Sequence, residues 1–173
     1  KPHVPQFWMS VASAKPSSVR PSQSSSCVSQ TSTLGPTPPV QVKLPADFAM
    51  PQGGLGIRWP DGFLEQETRL LYWKVYAALA YVRANGLDRI VWDSPNARLG
   101  IVTTGKSFGD TMQALADLGI DERVARDIGL RIYKVAMTWP LEPQGARRFA
   151  QGLEEILVIE EKRQLIEYQI KEE

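Results

Sequence analysis

Cysteine and histidine are almost absent: Cys27 and His3 are the only ones in 173 residues. One cysteine excludes an internal disulfide and a cysteine-based metal site. With the single histidine two residues from the start of the sequence, Ser–His and Cys–His nucleophilic catalysis lose their base. No apolar run approaches the roughly 20 residues that a membrane span needs. The first residues contain no continuous apolar core of the kind a secretory signal carries, which predicts a cytoplasmic protein without membrane contact. A broad basic field is missing too, so nucleic acid is not an expected partner. The net charge of +1 divides into about +4 over residues 1–60, where Asp47 is the only acid, and −3 over residues 61–173.

What is present falls into three parts. Residues 1–39 hold ten serines between Ser10 and Ser32 and prolines at 2, 5, 16, 21, 36, 38 and 39. Such a composition cannot bury enough apolar surface to offset its ordering entropy, and it predicts a disordered tail. Residues 40–64 stay rich in Pro and Gly but gain Val42, Leu44, Phe48, Met50, Leu55 and Trp59. They read as an extended linker lying across a partner surface. From residue 65 onward the pattern is that of a packed domain.

The strongest helix signal covers 65–85. Leu70, Leu71, Trp73, Val75, Tyr76, Leu79, Ala80 and Val82 give it a wide apolar face, Glu65 and Glu67 are expected in its first turn, and Gly86 is placed to end it. Strands are expected at 89–93, 99–103, 130–136 and 155–160. Helices are expected at 107–118, with Met112, Leu115 and Leu118 on one face, and at 122–128, 143–151 and 164–173. Strands alternating with helices of about ten residues predict a three-layer α/β/α fold around a mostly parallel sheet. Only a short turn separates the first two strands, too little for a parallel crossover, so the first strand is expected to run antiparallel. A strand is expected after the last helix, so the domain reads as incomplete, its last strand missing by truncation.

Four clusters are candidates for chemistry. Gly100 to Ser107 (GIVTTGKS) matches the phosphate-binding pattern G-x-x-x-x-G-K-[ST]. In a working phosphate loop a strand ends before the first glycine, whereas here Ile101 and Val102 read as the strand itself. The other reading is a strand, a tight turn and a helix start, where Thr104, Gly105, Lys106 and Ser107 still face an anion at a helix N-terminus. Glu160, Glu161, Lys162 and Arg163 follow a strand's carboxyl end, where open α/β sheets bind ligands. They serve equally as a charged interface, with Glu160 and Arg163 the residues to watch. Asp93 and Arg98 flank a turn that a salt bridge between them, or Asp and Asn side chains alone, would hold. Trp139 and Glu142 open a helix, either facing a pocket or as an aromatic plug beside an N-terminal acid.

The stretches LDRIVWDSPNARLGIVTTGKS (87–107), LRIYKVAMTWPLEP (130–143) and LEEILVIEEKRQLIEYQIKEE (153–173) resemble indolepyruvate:ferredoxin oxidoreductases. VKLPADFAMPQGGLGIRWPD (42–61) is similar to the long single-chain bacterial form, while residues 1–39 are unlike the family. The resemblance implies a domain like the C-terminal domain of transketolase, over 65–173, within an enzyme that oxidatively decarboxylates aryl-pyruvates. It implies thiamine diphosphate with Mg, whose ylide attacks the keto carbon, and iron–sulfur clusters that pass electrons to ferredoxin. The diphosphate-binding motif and the cluster cysteines of the family are not in this sequence. No catalytic or cofactor-binding residue carries over, and this part alone is expected to bind none of those cofactors. Its expected partners are the pyrimidine-binding and diphosphate-binding domains of the same enzyme, ferredoxin, and further copies in a homo-oligomer. A small phosphate-loop nucleotide-binding protein and a gene fragment without function remain the alternatives.

Overall fold

The computed structural model describes residues 41–56, Trp59 and residues 61–173. The expectations for the tail, for Cys27 and for His3 lie outside the described residues. Four strands, β1 (Arg89–Trp92), β2 (Leu99–Thr104), β3 (Leu130–Val135) and β4 (Glu155–Ile159), form one sheet in the order β1-β3-β2-β4. The first strand is antiparallel to β3, its only neighbour among the described residues, with a register shift between Ile90 and Trp92. β2 runs parallel to both β3 and β4. The antiparallel first strand is as expected, but the chain carries it past the β2 position to pair beyond β3.

Alternation along the strands builds two cores. Val102, Tyr133 and Val135 face one side with Leu141, Ala146, Phe149 and Ile166. There α5 (Pro143–Ala150) and α6 (Leu165–Glu172) cover the sheet, and Tyr133 stacks on Phe149 with ring centroids 5.1 Å apart. Ile101, Leu130 and Ile132 face the other side with Leu115 and Ala125, under α3 (Gly105–Asp117) and α4 (Glu122–Ile128). The fold is therefore α/β/α with a mixed, mostly parallel sheet.

Leu118 departs from its expected place and is exposed. The helix ends one residue earlier, Gly119 turns left-handed at φ 73°, and the Ile120 N–H reaches back to the Leu115 carbonyl at 2.8 Å. This closing turn puts Ile120, instead of Leu118, against the core.

Before the sheet, one long helical run has three pieces: α1 (Phe63–Arg69), a π-helical turn (Leu70–Lys74) and α2 (Val75–Asn85). Because it starts at Phe63, only Glu65 of the two expected acids lies in the first turn, where its carboxylate accepts from the Gly62 N–H at 3.3 Å. Gly86 ends the run left-handed, as expected. Ala80 and Val82 are buried, whereas Leu70, Leu71, Tyr72, Trp73 and Tyr76 stay largely exposed. The preceding chain is strapped onto this helix. Asn85 accepts from the Lys43 N–H and donates to the Lys43 carbonyl, Arg83 holds Asp47 at 2.7 Å, and Arg69 donates to the Gly54 carbonyl at 2.8 Å. No helix among the described residues is long and apolar enough to cross a membrane.

Candidate functional site

The carboxyl ends of β2 and β4 lie side by side, and the chain leaves them in opposite directions. After Thr104 it enters α3 on one face of the sheet; after Ile159 it crosses a short loop into α6 on the other. The divergence opens a crevice of about 440 Å³, lined by Thr104, Gly105, Lys106, Ser107, Thr138, Glu160, Glu161, Lys162, Arg163 and Leu165. All six positions expected from the sequence, Thr104 to Ser107 together with Glu160 and Arg163, meet here. They come from two loops more than fifty residues apart.

Each side chain has a defined role in the geometry. Thr104 donates its hydroxyl to the Val135 carbonyl at 2.8 Å, tying the ends of β2 and β3 together. Gly105 turns left-handed at φ 52° to start α3, whose first turn receives no side-chain cap. Lys106 binds Asp110 one turn along the same helix, and that carboxylate holds its ammonium above its ordinary range, with Glu161 adding to the effect. Glu160 is already engaged: its carboxylate accepts from the Ile166 and Glu167 N–H groups at 3.0 and 3.2 Å and caps α6. Lys162 and Arg163 have no ion-pair partner among the described residues, and Lys162 holds a left-handed φ of 69°.

This geometry does not form a phosphate loop. The residues between Gly100 and Gly105 are β2 itself, hydrogen-bonded on both sides by β3 and β4 and therefore unable to curl around a ligand. Of the two readings of the 93–98 turn, the Asp93–Arg98 salt bridge does not form. Asp93 reaches Arg131 at 2.6 Å and Arg98 reaches Glu154 at 2.7 Å, because the turn points the two side chains towards different strand ends. Trp139 is 57% exposed within the described residues. Glu142 does not face a pocket: it is 2% exposed, caps α5 through the Gln144 and Gly145 N–H groups, and holds Arg83 at 3.0 Å.

That last cluster carries no sequence signal. Arg83 stands 59 residues before Glu142, and no local pattern links them. The Tyr133 hydroxyl is buried nearby without a partner among the described residues, and burial pushes its phenol up, with Asp88 and Glu142 adding. Among the described residues no group of three or more His, Cys, Asp and Glu side chains could hold a metal ion.

Comparison with known proteins bears on the sheet domain. Residues 88–173 match the family model of the indolepyruvate ferredoxin oxidoreductase middle domain. This part of the chain belongs to that family. Subunit IorA of indolepyruvate oxidoreductase from Pyrococcus abyssi is 32% identical over 76 residues, which are 44% of this chain and 11% of that protein. The subunit from Pyrococcus horikoshii is 33% identical over the same length and shares. The chain thus spans about a tenth of the length of these curated relatives. A solved structure, 2-oxoglutarate:ferredoxin oxidoreductase from Magnetococcus marinus with 2-oxoglutarate, coenzyme A and succinyl-CoA bound, is 19% identical with a TM-score of 0.39. It covers 64% of this chain and 17% of that one, a likeness too loose to compare positions.

Proposed function

We propose that this chain supplies the middle domain of an enzyme that oxidatively decarboxylates indolepyruvate or a related aryl-pyruvate, with ferredoxin as electron acceptor. The observation that carries this reading is the family match over residues 88–173, supported by two IorA relatives. The domain acts as a scaffold. Its sheet packs on both faces within its own chain, while the helical run 63–85 presents apolar side chains outward from its first half. A face of that kind is what a neighbouring domain of the same enzyme covers.

Thiamine diphosphate with Mg and the iron–sulfur clusters belong, in this reading, to other parts of a cytoplasmic, homo-oligomeric enzyme. The sheet domain and its helical run contribute packing and position, and no catalytic group. Two measurements test the proposal. The complete enzyme should reduce ferredoxin with indolepyruvate only when thiamine diphosphate is present; reduction of no aryl-pyruvate at all would remove the assignment. The 173-residue chain should give no heat with thiamine diphosphate and Mg²⁺ in calorimetry. Micromolar binding by this chain would show that it holds part of the catalytic site and would end the scaffold reading.

A further inference from the structure

The crevice between the ends of β2 and β4 has the placement at which open α/β sheets bind ligands: adjacent parallel strands whose following helices pass to opposite faces. Its volume of about 440 Å³ is within the range of small-molecule sites, roughly 300–1,000 Å³. What it would hold follows from which of its charges are already taken.

The acids are largely occupied. Asp110 is bound to Lys106, and Glu160 spends both oxygens on the first turn of α6. Glu161 is the remaining lining carboxylate, and its charge is felt at Lys106. Against it stand Lys162 and Arg163, neither in an ion pair among the described residues, and the uncapped start of the 13-residue α3. The two helices that open onto the crevice thus differ. One has its positive end satisfied by an acid of this chain, and the other leaves its first N–H groups free of any side-chain cap.

We propose that this crevice binds a small phosphate monoester, its phosphate between the start of α3 and the Lys162–Arg163 pair. A phosphate presents three strong acceptor oxygens, enough to take helix N–H groups and two cationic side chains together, where a carboxylate presents two. Gly105 fits this placement, since nothing stands within 4 Å of where its Cβ would be and the approach to the helix start is open. Thr138 and Leu165 form the remaining wall, which suits a small organic body. The inference goes beyond the scaffold role and does not depend on the reaction of the whole enzyme.

The test is thermal unfolding of the full 173-residue chain in increasing glycerol phosphate, with ionic strength held constant by chloride. A saturable rise in the midpoint is expected, because a ligand of the folded state stabilises by mass action. Arg163→Ala should weaken the apparent affinity about tenfold, the loss of one charge-assisted contact. Lys162→Gly keeps the fold testable, because glycine accepts the left-handed backbone there. Its midpoint in chloride should be no lower than that of the parent, while its affinity for glycerol phosphate falls. Arg98→Ala, at the other end of the sheet, should leave the affinity unchanged. A midpoint that follows ionic strength alone, or a saturable shift equal in all three variants, would overturn the proposal. So would the absence of any shift together with weakened assembly of the complete enzyme by Arg163→Ala, which would make the crevice a domain interface.

Discussion

Gly100 has the backbone of an ordinary strand residue, and its small size is what the fold needs. A Cβ there would lie 2.5 Å from Phe149 Cζ and closer still to Leu153 Cδ1, the residues that cover β2 from α5 and the loop after it. Gly100→Ala is therefore expected to destabilise the domain by roughly 1–3 kcal/mol through overpacking, read as a lower urea midpoint. Lys106→Ala removes the lysine on which a phosphate loop depends, and any effect of ATP on unfolding should be the same in this variant as in the parent. A shift in the parent that Lys106→Ala abolishes would restore the phosphate-loop reading. Asp88 makes a different case. One carboxylate oxygen accepts from the Ala136 and Met137 N–H groups at 2.7 and 3.1 Å, while the other is buried without a partner among the described residues. Desolvation is the largest influence and raises its pKa. The folded state then holds this proton at pH values where the unfolded chain has lost it. Stability from this group is present below the ordinary carboxylate pKa and is lost as pH rises through the raised one. Asp88→Asn keeps an acceptor and removes the charge. It should unfold at a higher temperature than the parent at pH 7, with the difference shrinking as pH falls towards 4; an equal or lower midpoint at pH 7 would contradict this account.

At the scale of elements, much of the fold is legible in the sequence. Each strand and helix stands within a few residues of its expected place because turn residues and alternating apolar positions are local signals. The antiparallel first strand is legible for a similar reason, since the short turn after Trp92 leaves no room for a crossover. The π-helical turn at Leu70–Lys74 is not, because no residue type there marks an extra residue per turn. The crevice residues are legible as two separate clusters, while their meeting depends on β4 pairing with β2, a contact between strands some fifty residues apart. Long-range ion pairs escape sequence reasoning for the same cause. Arg83 joins three elements, the strap through Asp47, α2 itself and the buried Glu142 at the start of α5. Arg83→Ala would leave the Glu142 carboxylate buried with only its two N–H partners, at a cost of about 3 kcal/mol. The strap should loosen in the same variant, seen as faster amide exchange at Lys43, whose N–H is held by Asn85. Combining Arg83→Ala with Glu142→Gln should recover part of the loss, since the pair is coupled; strictly additive losses would mean that the ion pair contributes nothing.

On the scale of the whole molecule, the two halves of the described chain differ in how completely they cover themselves. The sheet domain encloses two cores, one on each face, and its helices turn their apolar sides inward. The helical run before it does the reverse over its first half, where no residue of α1 or the π-helical turn is buried. Leu64 is 79% exposed and Leu71 is 50% exposed, with Phe63 and Tyr72 beside them. The strap covers one side of this helix through Arg69 and Gln66 and leaves the other bare. Exposed apolar side chains clustered along one stretch of helix drive association of an isolated chain. The 173-residue chain should therefore sediment as a concentration-dependent mixture and bind a hydrophobic dye while folded. Leu64→Glu with Leu71→Glu should return it to a monomer and reduce the dye signal. Leu64 is mostly exposed and Leu71 half covered, so the double variant should lose no more than about 1–2 kcal/mol of stability. In the complete enzyme the same pair should weaken domain assembly. A parent chain that is monomeric and dye-free at all concentrations would show that this face is not a docking surface, and the scaffold role would lose its structural support.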